Sequence, residues 1–126
     1  MSDPKALESL DLARKQLERV RLAWVNPTDW ADLSLYGFYC LENAVAAAAR
    51  HVGMEFQPTH PSKLQAARKL HDAHDLPDVS ELLYNLNTAR KAAVYGDIAA
   101  PELDAEQVAT AIDEFVDAVA SLMEGK

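Results

Sequence analysis

A single cysteine, Cys40, leaves no partner for an intramolecular disulfide, and that points to a reducing compartment, the cytoplasm by expectation. Four glycines and six prolines in 126 residues leave few interruptions, so the elements between them should be long. Aromatic residues make up only 7% of the chain while alanine is abundant, which suits packed helices better than a β-sandwich. No stretch reaches about 18 uninterrupted apolar residues, so no membrane span is expected. The opening "MSDPKALESL" lacks a basic segment followed by an apolar run, so no signal peptide is expected either. Positive charge is also in short supply. Twelve Lys and Arg against twenty Asp and Glu give a formal net charge of −8, which argues against loose nucleic-acid binding driven by counterion release. The global field opposes such binding, although a local basic groove stays compatible with it. There is no glycine-rich phosphate loop, no CxxC pair and no Gly-x-Ser-x-Gly, so no cofactor is expected.

The length fits one domain spanning residues 1–126, and the patterning reads as five helices. Ser2 or Asp3 caps the first, with Pro4 preset in its opening turn. Leu7, Leu10, Leu17, Val20 and Trp24 then form one apolar stripe. After the break at Asn26-Pro27-Thr28, Thr28 or Asp29 caps a second helix that stops near Gly53. This helix is apolar around most of its circumference, which marks it as the central element. Gly37 and the Ala46–Ala49 run allow its neighbours to approach closely. A third helix runs from about Pro61 to His74, and a fourth from Val79 to about Val94, capped by Asp78 and closed by Gly96 and Pro101. Asp104 with Gln107 forms a capping box for the fifth, whose stripe is Val108, Ile112, Phe115, Val119 and Leu122. The expected fold is an all-α, four- to five-helix up-and-down bundle. The carboxylates from Glu102 onward make the wet face of its last helix.

Two charged residues sit where a helical wheel places apolar ones. In the fourth helix, Val79, Leu82, Leu83, Leu86, Ala93 and Val94 cluster on one side; Arg90 falls inside that sector and Asn87 on its edge, while Tyr84 and Lys91 face away. In the second helix, Asp32, Asn43 and Arg50 define a polar line, and Glu42 lies about a quarter-turn from it, beside Leu35, Phe38 and Val45. A buried charge without a partner costs several kcal/mol, so Glu42 and Arg90 are expected to meet across the packed helices. The plainer readings are that each reaches water from a helix edge, or that the pair only supports the bundle.

The histidines carry less. His71 and His74, three apart, lack the further ligands a metal needs, so no metal site is expected. His51 complements the dipole at the end of the second helix. His60, at the start of the third, is explained by capping or loop contacts, the alternative being that it reaches the site. Cys40, in the apolar setting "YGFYCLENA", reads as a buried and inert thiol.

Three segments in this order resemble the HEPN superfamily of small helical-bundle proteins. "LYGFYCLENAVAAAARHVG" resembles the family's apolar second helix, with Glu42-Asn43-Ala44 matching its glutamate-plus-alanine pattern. "THPSKLQAARKL" resembles the histidine-initiated segment that follows, and "LLYNLNTARKAAVYGD" the late helix with the arginine signature. Together with the acidic last helix, the likeness covers about Trp30 to Met123. Ribonuclease members pair that arginine with a histidine after four to six intervening residues, and dimerisation brings two such motifs into one cleft that acts on RNA without a metal. Arg90 matches the arginine, but the positions at those spacings hold Tyr95, Gly96 and Asp97. Tyrosine, with an ordinary pKa near 10, is a poor proton carrier at neutral pH. The resemblance therefore implies a homodimer with a degenerate site, binding a protein partner or a nucleotide or RNA ligand through Arg90, Asn87, Tyr95, Glu42 and His60. It also implies a toxin–antitoxin or defence setting, sometimes beside a nucleotidyltransferase. An active endoribonuclease using Tyr95 or His60, and a purely structural module, are the alternatives.

Overall fold

The computed structural model describes residues 3–25, 27–96 and 101–125. Ser2, Asn26 and Asp97 lie outside the described residues. Five helices follow one another: α1 (Pro4–Ala23), α2 (Trp30–His51), α3 (His60–His74), α4 (Ser80–Tyr95) and α5 (Ala105–Met123), with no strand among the described residues. The fold is an all-α bundle, as the patterning predicts.

The ends of the helices are set by local chemistry. Asp3, Asp29, Thr59 and Asp104 cap α1, α2, α3 and α5, each accepting a backbone N–H of the first turn through its side chain. Such caps satisfy donors that the helix itself cannot, and each contributes about 1 kcal/mol. Asp78 stands one residue before the α4 cap, Val79, yet still accepts from the Ser80 backbone N–H at 3.0 Å and the Ser80 hydroxyl at 2.7 Å. Gly96, at φ 75°, ends α4 in the left-handed conformation that glycine adopts without strain.

Helix α2 packs against all four of the others, while α4 leans on α2 and α3, and α5 on α1 and α2. Small side chains make this possible: Ala44, Ala47, Ala48 and Ala49 are fully buried. Gly37 marks a close approach. A Cβ there would lie 2.9 Å from Ile112 Cδ1 of α5 and 3.4 Å from Leu86 Cδ1 of α4. Helix α1 runs antiparallel to α2, and polar ties follow the seam: Asn43 Nδ2 donates to Gln16 Oε1 at 2.8 Å, and Arg50 donates to the Ser9 hydroxyl. The polar line foreseen on α2 thus faces α1 at Asn43 and Arg50, whereas Asp32 is exposed.

The stripes hold in the interior and fail at the ends. In α1, Leu10, Leu17 and Val20 are buried together with Ala6 and Ala13, but Leu7 is half exposed. In α4, Val79, Leu83 and Leu86 are buried, whereas Ala93 and Val94 are not. The α4 periodicity continues into the last turn, where Val94 is 71% exposed. The α5 stripe buries Val108, Ile112, Phe115 and Val119. Each large side chain taken out of water contributes about 1.5–3 kcal/mol, so this central layer dominates stability.

Candidate functional site: a cationic cleft over a buried carboxylate

Glu42, midway along α2, is only 3% exposed. Its partners come from the first turn of α3, which α2 packs against. His60 Nδ1 lies 2.7 Å from Glu42 Oε2, and Lys63 Nζ lies 3.7 Å from Oε1. His60 and Lys63 are three residues apart, so one turn of helix presents both to one carboxylate. An ionised carboxylate only accepts, so Nδ1 is the nitrogen that donates, and Nε2 remains for other use. Phe38, one turn before Glu42, packs edge-on against the His60 ring at 5.0 Å between centroids.

Arg90 takes a different course. It makes no ion pair with Glu42, and the pairing expected from the wheel is corrected here. Cations of α3 reach the carboxylate first, because α3 begins beside it. Arg90 is half-buried on α4, with its Cζ 5.0 Å from the Phe38 ring centroid and 5.6 Å from that of Tyr39, within cation–π range. Its Nη2 donates to Asn87 Oδ1 at 2.6 Å, and its Nε is buried without a hydrogen-bond partner. Both charged systems therefore rest on Phe38, which stands where the wheel suggested a direct contact.

Between α2, α3 and α4 opens a cleft of about 390 Å³, with Phe38, Glu42 and His60 on one side and Leu83, Tyr84, Asn87 and Lys91 on the other. Arg68 of α3 completes its rim. Among the described residues, Glu42 is the only carboxylate in the lining, and it already has His60 and Lys63 against it. In a chain of net charge −8, this is a local reversal of sign. Three of the sequence candidates, Glu42, His60 and Asn87, line this cleft. Arg90 stands behind it, bonded to Asn87. Tyr95 stands apart, 68% exposed in the last turn of α4. Arg68, Lys63, Tyr84 and Lys91 were not singled out from sequence; the spacing of Tyr84, Asn87 and Lys91 at i, i+3 and i+7 was the available signal for one face of α4.

A second groove, about 510 Å³, lies between Trp30, the alanines Ala89, Ala92 and Ala93, and Pro101–Leu103. Among the described residues, its only charged lining residue is Glu102. Elsewhere His71 Nδ1 hydrogen-bonds the Leu76 carbonyl at 2.7 Å, so it serves the α3–α4 turn. Among the described residues, no group of three or more His, Cys, Asp or Glu is placed to hold a metal ion. Cys40 is buried, its thiol donating to the Ala13 carbonyl at 3.2 Å, and burial pushes its pKa up to about 12. No helix among the described residues is long and apolar enough to cross a membrane. Comparison with family models, with curated proteins and with solved structures finds no match to this chain.

Proposed function

We propose that this chain is a HEPN-like binding domain whose α2–α3–α4 cleft holds a phosphate-bearing ligand, a nucleotide or a segment of RNA. The observation that carries the reading is the sign of the cleft: His60, Arg68 and Lys91 line it and Lys63 adjoins it in an otherwise acidic protein, with one carboxylate that already has its partners. Guanidinium and ammonium groups are the natural partners of phosphate oxygens, as a bidentate fork or as point charges. Binding of this kind weakens with salt in proportion to the phosphates contacted. The test is fluorescence anisotropy with a labelled mixed-sequence oligoribonucleotide. The native chain binds, the affinity falls as salt rises, and Arg68→Ala with Lys91→Ala weakens it at least tenfold. Equal binding by that double variant overturns the reading.

A second reading, RNA cleavage without a metal, is favoured by one contact. Glu42 fixes the His60 ring so that Nε2 faces away from the carboxylate, the arrangement that orients a histidine for proton transfer. Incubation of the purified protein with an RNA pool separates the two: cleavage lost in His60→Ala and absent from a mock preparation supports the second. The HEPN-like reading also carries a homodimer, a cytoplasmic toxin–antitoxin or defence setting and a nucleotidyltransferase partner. The exposed Val94 and Tyr95 supply apolar surface for such a contact.

A further inference from the structure

Arg90 is conspicuous for what it lacks. Among the described residues no carboxylate pairs with it, and its Nε is buried with no acceptor. A leucine would fill the same apolar sector without an orphaned donor, so stability alone does not account for an arginine here. What Arg90 does achieve is the fixing of Asn87. Guanidinium has donors only, so the atom of Asn87 lying 2.6 Å from Nη2 must be the carbonyl oxygen of its amide. With that oxygen occupied, the amide NH2 is the part of Asn87 left for the cleft it lines. The rings of Phe38 and Tyr39 hold the guanidinium from the other side, at 5.0 and 5.6 Å.

We propose that Arg90 is a positioning residue that turns Asn87 into a hydrogen-bond donor facing the cleft, so that the cleft selects a ligand bearing an acceptor at that point: the carbonyl or ring nitrogen of a nucleobase. This rests on the reading of the cleft as a phosphate site. The other elements agree with a base on the α4 side. Tyr84, three residues before Asn87 on the same face, is 65% exposed and offers a ring for stacking. The cations Lys63 and Arg68 of α3, together with His60, lie on the opposite wall or beside it, where a phosphate would sit. A volume of about 390 Å³ accommodates one such unit.

The test compares uridine 5′-monophosphate with ribose 5-phosphate by titration calorimetry, because the two share a phosphate and differ in the base. The native chain is expected to bind the nucleotide about fivefold or more tightly than the sugar phosphate, the scale of one or two hydrogen bonds and a stacking contact. Asn87→Asp keeps the size of the side chain and its tie to Arg90 but has no N–H to donate. Its added charge weakens both ligands, so the readout is their ratio, which is expected to fall by about twofold or more, the scale of one lost hydrogen bond, toward what stacking on Tyr84 alone supplies. Arg90→Ala frees the amide to turn over and lowers the ratio, while Arg90→Lys, which restores one donor to Asn87, recovers part of it. A ratio unchanged in Asn87→Asp, or a native chain that binds both probes equally, overturns the proposal and leaves the phosphate reading intact. If neither probe binds the native chain, both fall together.

Discussion

Glu42 offers the sharpest quantitative prediction, because its surroundings set what each partner is worth. Replacing His60 by alanine removes a charge-assisted hydrogen bond of 2.7 Å, an interaction in the range of about 1.5–3 kcal/mol. The His60 side chain is 46% exposed, so water takes its place and the loss falls toward the lower end. Lys63, at 3.7 Å, is beyond hydrogen-bond distance, and its removal alone costs about 0.5 kcal/mol. Removing both leaves a carboxylate 3% exposed with no cation against it, a defect in the class of about 3–5 kcal/mol. The double variant should therefore lose about 1 kcal/mol or more beyond the sum of the singles. Adding Glu42→Gln to that double variant removes the stranded charge and should recover most of the coupled loss, although it restores no contact. Urea unfolding followed by circular dichroism measures all four, with slopes required to agree. Single losses that add within about 0.5 kcal/mol, or a triple variant no more stable than the double, refute the claim that Glu42 is an ion held by its partners.

Other outcomes follow from separate parts of the fold. Gly37→Val should destabilise by about 1–3 kcal/mol, because even a Cβ would press to 2.9 Å from the fully buried Ile112; an unchanged melting temperature contradicts the tight α2–α5 crossing. Cys40, with its thiol held neutral by burial, should react with a thiol reagent at about the rate of global unfolding, and fast labelling of the native chain at neutral pH counts against this. Its raised pKa means that the stability it contributes is complete below the ordinary thiol value and declines as pH rises toward about 12. His71 is held above its ordinary value first by the hydrogen bond to the Leu76 carbonyl, with Asp78, Asp72 and Asp75 adding to it. A raised folded value gives stability that is present below the unfolded pKa and lost as pH rises through the folded one. The stability gap between the native chain and His71→Gln should thus narrow as pH rises above the ordinary histidine value of about 6.5. A gap independent of pH removes that role.

Much of this fold was legible because it rests on local rules. Asp3, Pro4, Asp29, Asp104 and Gly96 announce helix ends through short-range chemistry, and the structure finds the helices there. The all-round apolar character of α2 likewise foretold its central place. The failures share one cause. Ala93 and Val94 keep the period of the α4 stripe, yet both are exposed, because burial depends on tertiary neighbours that a helical period does not report. Leu7 misleads in the same way, and the adjacent small residues Ala6 and Ser9 take the inner face instead.

The site shows a similar division. A wheel identifies Glu42 and Arg90 as displaced charges, and both are at least half-buried. It treats each helix by itself, however, so the choice of partner is beyond its reach. The contact between α3 and α2 gave Glu42 to His60 and Lys63, and Arg90 turned along its own helix to Asn87. Nothing local in the sequence marks Arg68 as lining a cleft or Lys63 as adjoining it. They became visible only when α2, α3 and α4 were brought together.

The central claim is that the cleft between α2, α3 and α4 is where a phosphate-bearing ligand sits. Backbone amide shifts of the 15N-labelled chain during titration with uridine 5′-monophosphate test it most directly. The account predicts saturable changes confined to His60, Lys63, Arg68, Tyr84, Asn87 and Lys91 and their immediate neighbours, lost when Arg68 and Lys91 are both replaced by alanine. Changes centred instead on Trp30, Ala92 and Leu103, or none at all, would contradict it.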